Sequence, residues 1–522
     1  MTAPGRPRPP HRRDVAAGLV LAGMTLIAVL YVSVPVAATR HIAGGVGAAQ
    51  RYAVWAVNAY VAANIVGAPL AARLAGLIGR RRACLACIGT FTLATALCGT
   101  ADSLAQLVAW RVLQGASGGI LVPLAQASLA DVSRASGRID PLAAFSVALL
   151  IGPPFGTPIG GWLTETYSWR AMFLVGVPIG TLALAFCVRW LPPDTSVPAK
   201  LAPFDWTGAA LLVVGLTCLE IVLTEGQVWD WFDSPTVVAL SAGAAVGLGG
   251  FGVRCLRTPD PLVRLDLLRD RRFLASTALA AGATCAYLAS LSTISRMVTG
   301  LMGYAAGNVA EMAGPAALSL LVLVPVLAET AGGRGGRLVP ALGLAILAGG
   351  ALWLSFGNLL VSPSQVLWPR AVIVAGMSLT LSSVNSGAFA GISRERWNDA
   401  AVVYNMFRNL GASLGLCLVG VFLERGLQVR LSRLTEAHLD ALNPVVGERL
   451  RQSAARFLHG AAAGDPAAAE LLALKSLDAL RQEQAQALAN LDALLACGVL
   501  ALALIPLVFL IGRRSDARAP EG

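Results

Sequence analysis

Apolar windows of about 20 residues, the length a helix needs to cross the hydrocarbon core of a bilayer, recur fourteen times in this chain. They lie near 15–38, 52–72, 83–100, 105–130, 141–164, 170–191, 206–224, 236–254, 273–295, 309–328, 338–356, 367–389, 400–423 and 489–511. At 56% hydrophobic and 13% charged over 522 residues, the chain is too apolar for a soluble protein of its size. The expected fold class is an all-α polytopic membrane protein.

One stretch in the fifth window is denser in helix breakers than a soluble helix would accept: Gly152-Pro153-Pro154-Phe155-Gly156-Thr157-Pro158-Ile159-Gly160-Gly161. Gly152, Gly156 and Gly160 recur every four residues, so on a helix they stack on one face and admit another backbone closely. Each proline removes a backbone donor and is expected to kink the segment. A span buried among other membrane helices tolerates this; the stretch reads as a hinge-bearing fifth span.

The formal net charge of +11 raises the question of nucleic acid, but the arginines sit mostly in short loops between windows. That distribution sets topology instead: Arg80 to Arg82, Arg134, Arg138, Arg189, Lys200, Arg254 to Arg272, Arg334, Arg337, Arg394, Arg396, Arg513 and Arg514 all fall on the side of the N-terminus. By the positive-inside rule both termini are cytoplasmic, with residues 1–14 and 512–522 as tails. The nine cysteines fall almost wholly in apolar runs, so no disulfide framework is expected, and Cys84-x-x-Cys87 reads as helix packing. Nothing calls for a nucleic-acid partner, a cofactor or a metal.

One outer segment is long. Residues 424–487 are polar and rich in Ala, Leu, Arg, Gln and Glu. Leu427, Leu431, Leu434 and Leu442 have roughly helical spacing, and a second helix is expected to start with Asp465 as N-cap and Pro466 at its first position. No Gly or Pro interrupts 467–497. A helical hairpin over 425–488 is expected outside the membrane, its outgoing arm continuous with the final span.

Several motifs follow in order: Trp55-x4-Tyr60; Gly79-Arg80-Arg81-Arg82 in the loop after the second span; Arg111-Val112-Leu113-Gln114-Gly115 and Pro123-Leu124-x-Gln126; the Gly/Pro stretch; Trp169-Arg170-x-x-Phe173; Glu225-Gly226-Gln227; and Tyr404-Asn405-Met406-Phe407-Arg408-Asn409-Leu410-Gly411. Together they resemble the fourteen-span drug/proton antiporter branch of the major facilitator superfamily, the EmrB/QacA type, across nearly the whole chain. The outer segment, with Leu434-Thr435-Glu436-Ala437-His438-Leu439 and Asp465-Pro466-Ala467, is similar to the insertion of EmrB-like pumps.

The resemblance implies a major facilitator fold: one six-helix bundle over 15–191, two additional spans over 206–254 lying to the side, and a second bundle over 273–511 that includes the hairpin. It implies alternating access about a central site, with the Gly/Pro span at the interface between bundles and Arg80 to Arg82 in a cytoplasmic gate loop. It also implies a bacterial inner-membrane location and work with a periplasmic adaptor and an outer-membrane channel.

The chain departs from that pattern at telling places. Tyr31 stands where the family usually carries an aspartate in the first span, Gly76 where it carries a second acid, Gly156-Thr157-Pro158 where Gly-Pro is usual, and Gly176 where an asparagine is usual. Proton coupling needs an ionisable group reachable from both sides. The coupling candidates are therefore Arg111, Arg408, Glu311 and Glu220, the last in a peripheral span where a structural role is the simpler expectation. Tyr31, Tyr60, Asn64, Gln114, Gln126, Asn385 and Asn405 are candidates to line a substrate cavity; each alone also suits an inter-helix hydrogen bond. The expected function is export of amphipathic drug-like or lipophilic small molecules against protons, from or through membrane lipid. The alternatives are a non-transporting or regulatory relative without proton coupling and an exporter of one physiological solute such as a siderophore or fatty acid; an enzyme is not expected.

Overall fold

The computed structural model describes residues 12–510, apart from 37, 137–140, 192–204, 260, 302–336, 358–362, 390–391, 394–395, 439–443 and 460–464. The expected tenth span, with Glu311, lies outside the described residues, as do residues 1–11 and 511–522. The described residues are almost entirely helical. Eleven of their helices are long and apolar enough to cross a membrane, or up to twelve if a pair bent by 58° counts as one span.

The first half comprises α1 (Arg12–Ser33), the bent pair α2 (Trp55–Gly67) and α3 (Leu70–Ile78), α4 (Arg80–Gly99), α5 (Leu104–Ser136), α6 (Pro141–Thr166) and α7 (Gly176–Trp190). Two further spans, α8 (Trp206–Glu225) and α9 (Pro235–Arg257), pack on each other. The second half runs through α10 (Arg271–Arg296), α11 (Leu338–Ser355), α12 (Pro363–Phe389), α13 (Trp397–His438), α14 (Pro444–Leu458) and α15 (Pro466–Ala503). The break between α2 and α3 falls at Pro69, whose missing N–H cannot continue the helix ladder.

Glycine stripes set the closest helix crossings. The helix assignment of α6 runs unbroken through Pro153, Pro154 and Pro158. Its glycines face α1: a Cβ on Gly152 would meet Val29 and Leu30, one on Gly156 the Ser33 hydroxyl and the Leu30 carbonyl, one on Gly160 the Val34 carbonyl. This corrects the expectation that the stripe joins the two halves. The close approach lies within the first half, because the stripe occupies the face turned to α1, while α6 meets α12 of the second half elsewhere. The second half repeats the device: Gly411 and Gly415 on α13 press on the Ala281 and Cys285 carbonyls of α10. A further stripe, Gly115 and Gly119 on α5, seats the Tyr60 and Asn64 carbonyls of α2. All three share the four-residue spacing that lets backbones touch.

The hairpin is built as expected on its outgoing side. Asp465 caps α15, its carboxylate accepting from Ala467 N at 2.9 Å, Pro466 takes the first position, and the helix runs 38 residues to Ala503. The incoming arm is equally continuous, since α13 extends 42 residues to His438. Arg430 grips Asp492 across the two arms with a two-pronged pair, 2.9 and 2.8 Å, a planar fork on a planar carboxylate. The amphipathic α14 lies against α15.

Candidate functional site

A cavity of about 830 Å³ lies between the halves. Its walls come from α1, α2, α5 and α6 on one side and α10, α12, α13 and α15 on the other. The third wall is α8, which contacts both α2 and α13. The lining is largely aliphatic, with Val57, Val61, Leu288, Leu291, Met377 and Leu381 among it. At the hairpin end it includes Val36, Arg40 and Val54, all solvent-exposed.

Toward the end that carries Arg12, polar contacts tie the halves together. Asn409 Nδ2 donates to Asn64 Oδ1 at 2.9 Å across the halves, and within α13 Arg408 Nη2 supports Asn409 by donating to its Oδ1 at 3.1 Å. Asn405 Nδ2 donates to Gln126 Oε1 at 2.6 Å and Gln126 Nε2 to Asn385 Oδ1 at 3.3 Å. Arg80 Nη2 donates to Asn398 Oδ1 at 3.3 Å, and Arg73 Nη2 to the Pro261 carbonyl at 3.3 Å. Arg80 to Arg82 are therefore not a loop: Gly79, at φ +89°, turns the chain and the arginines form the first turn of α4. Arg81 holds the Val188 carbonyl of α7 at 2.6 Å.

Of the sequence candidates, Asn64, Glu220 and Arg408 line the cavity. Glu220 is not peripheral. Because α8 is wedged between the halves, its carboxylate faces the cavity and accepts a hydrogen bond from Ser413 of α13. Gln126, Asn385 and Asn405 form the inter-half link just described, since they sit deeper than the lining.

Tyr31, Tyr60, Gln114 and Arg111 belong to a separate cluster inside the first half. The Arg111 guanidinium is wholly buried. It donates to the Ala56 carbonyl at 2.6 Å, the Tyr31 carbonyl at 3.1 Å and Gln114 Oε1 at 2.6 Å, and lies 4.2 Å from the Tyr60 ring centroid. It is a clamp on α1 and α2, tying both to α5. The Tyr60 hydroxyl donates to the Ala28 carbonyl at 2.6 Å and the Tyr31 hydroxyl to the Met172 carbonyl at 2.9 Å, which turns Tyr31 away from the cavity. A Cβ on Gly176 would land on that hydroxyl, so two departures from the family pattern are one packing exchange. Arg111→Lys is expected to destabilise the protein by about 2–4 kcal/mol, because one ammonium cannot serve three acceptors arranged for a fork; the thermal unfolding midpoint of detergent-solubilised protein checks this.

The sequence missed Arg370, Tyr287, Arg296, Ser413 and Glu424, all of which line the cavity. Arg370 stood near the start of an expected window at 367, but α12 begins at Pro363 and carries it two turns inward. Arg296, just past the expected window ending at 295, closes α10.

A Major Facilitator Superfamily model matches residues 16–416. "Multidrug export protein EmrB" of Haemophilus influenzae is 27% identical over 431 residues, covering 82% of this chain and 84% of that protein. "Fatty acid resistance protein FarB" of Neisseria gonorrhoeae is 27% identical over 413 residues, covering 78% and 79%. Among solved structures, the human organic anion transporter MFSD10 superposes with a TM-score of 0.55 at 17% identity, covering 96% of this chain and 100% of that one. The family match spans most of the chain, and the helical architecture agrees with it: the chain belongs to the Major Facilitator Superfamily.

Proposed function

We propose that the chain exports amphipathic, drug-like or lipophilic compounds by alternating access, driven by proton entry. The observation that carries this reading is the cavity itself: walled by both halves, lined mainly by aliphatic groups, and bounded at the end carrying Arg12 by inter-half hydrogen bonds. An apolar chamber with a few polar groups binds many amphiphiles loosely. The EmrB relatives, whose printed names speak of multidrug export, support the same class. Arginine-rich segments on the side of the N-terminus support cytoplasmic termini in a bacterial inner membrane, so that the cavity faces outward in this conformation. The hairpin then projects into the periplasm, where its paired arms suit a periplasmic adaptor leading to an outer-membrane channel.

Glu220 is the coupling group in this reading. It replaces the acid missing at position 31 with a carboxylate that faces the cavity from α8. A second reading, export of one physiological solute, draws on the printed name of the FarB relative, which speaks of fatty acid resistance.

Reconstitution into liposomes tests the proposal. An amphipathic dye is expected to move uphill when an inward proton gradient is imposed, and to equilibrate only when the gradient is collapsed. Uphill movement independent of the gradient would overturn antiport; no movement of any amphiphile would overturn export.

A further inference from the structure

Among the described residues the cavity carries more positive than negative side chains: Arg40, Arg296, Arg370 and Arg408 against Glu220 and Glu424. Glu220 accepts the Ser413 hydroxyl, and Glu424 stands in the same cavity wall as Arg296. Arg370 makes no ion pair with a carboxylate among the described residues, and Tyr287 lines the same cavity. Both side chains are almost wholly buried, 3% and 4% exposed. Among the described residues, Arg370 Nε and the Tyr287 hydroxyl each lack a hydrogen-bond partner.

A guanidinium without a carboxylate partner among the described residues and an unsatisfied hydroxyl, both lining one cavity at membrane depth, are costly to keep, and groups kept at such a cost mark binding or conduction sites. Arginine remains charged under physiological conditions and its N–H fork matches an oxyanion in the plane. The hydroxyl adds a third donor. Leu288, Leu291, Met377 and Leu381 line the same cavity and offer an aliphatic surface to the remainder of a ligand.

We infer that Arg370 and Tyr287 form an anion-binding subsite in the cavity wall, which takes the carboxylate, sulfonate or phosphate head of an amphiphile while the aliphatic lining takes its tail. The inference rests on the export reading and narrows it from amphiphiles in general to those with one negative head. Two sources could supply that head: a free amphiphilic acid or an anionic phospholipid.

Binding to the purified full chain in zwitterionic nanodiscs tests this, with dodecanoate, dodecyltrimethylammonium and short-chain phosphatidylglycerol as probes. The wild type is expected to bind at least one of the two anions about 10- to 100-fold tighter than the cation, the span of a buried charge-assisted hydrogen-bonded contact. Which anion it prefers identifies the source. Arg370→Gln is expected to abolish that preference by weakening the anion, with the cation binding no more weakly than before, and Tyr287→Phe to weaken the anion about 3- to 10-fold. Tyr287→Phe removes one oxygen only, so it carries the test should Arg370→Gln fail to fold. Equal affinity for the two charges, or an anion preference indifferent to both substitutions, would overturn the subsite and leave export intact. Failure of all three probes to bind would count against the export reading itself.

Discussion

Gly160→Val is expected to leave little or no folded protein in detergent, whereas Gly23→Ala is expected to unfold at or slightly above the wild-type temperature. A Cβ at position 160 falls on the Val34 carbonyl, which belongs to backbone and has no rotamer to escape into; around Gly23 there is open space. Overpacking a tight contact typically costs about 1–3 kcal/mol even where neighbours are side chains that can shift. Here the α1–α6 crossing itself must open, which also disturbs Thr157, whose hydroxyl reaches the Ser33 carbonyl at 3.4 Å. Gly156→Val is expected to behave likewise. Fluorescence-detected size exclusion after a temperature ramp reads both outcomes, and a wild-type profile for Gly160→Val would mean that the stripe is not the seat of the crossing.

Glu220→Gln is expected to remove gradient-driven export while sparing downhill exchange. Gln keeps the shape of the side chain and an oxygen to accept the Ser413 hydroxyl, so the change deletes the exchangeable proton and little else. One pH unit is worth about 1.4 kcal/mol per proton, enough to hold a roughly tenfold substrate gradient if one proton is exchanged per molecule. The variant should therefore show a dye accumulation ratio near one under the gradient that gives the wild type close to ten. Dye binding to the variant, measured separately, should stay within about twofold, as expected for a surviving apolar chamber. Undiminished accumulation would move the coupling role elsewhere, with Glu424 the next cavity carboxylate.

The two kinds of signal in the sequence differed in reach. Spans and caps are local, and the residues announce them: Asp465-Pro466 is a helix start wherever it occurs, and the 20-residue windows give the spans. Partners are not local. The spacing of Gly152, Gly156 and Gly160 tells that some backbone comes close, and nothing in the spacing says whether it is α1 or the other half. Asn64 and Asn409 meet across 345 residues, and neither has a neighbour in sequence that points to the other. Arg370 was hidden by a smaller effect. A hydropathy window begins where apolar residues begin, whereas a helix begins at its cap, here Pro363, so a charge that looked interfacial lies well inside. Glu220 was obscured by treating an added pair of spans as peripheral; only packing shows α8 inserted between α2 and α13.

The Tyr31–Gly176 contact has a consequence for how such chains change over time. The hydroxyl of Tyr31 fills the volume in which any side chain at 176 would have to grow, so position 176 cannot gain a side chain while Tyr31 stays. A large residue at 31 could arrive only after, or together with, a glycine at 176, and returning to a side chain at 176 first would be blocked. The contact therefore fixes the order in which the two positions can change. Ranking relatives by whether an acid stands at the first of these positions would sort them by the history of one packed contact rather than by how they are powered.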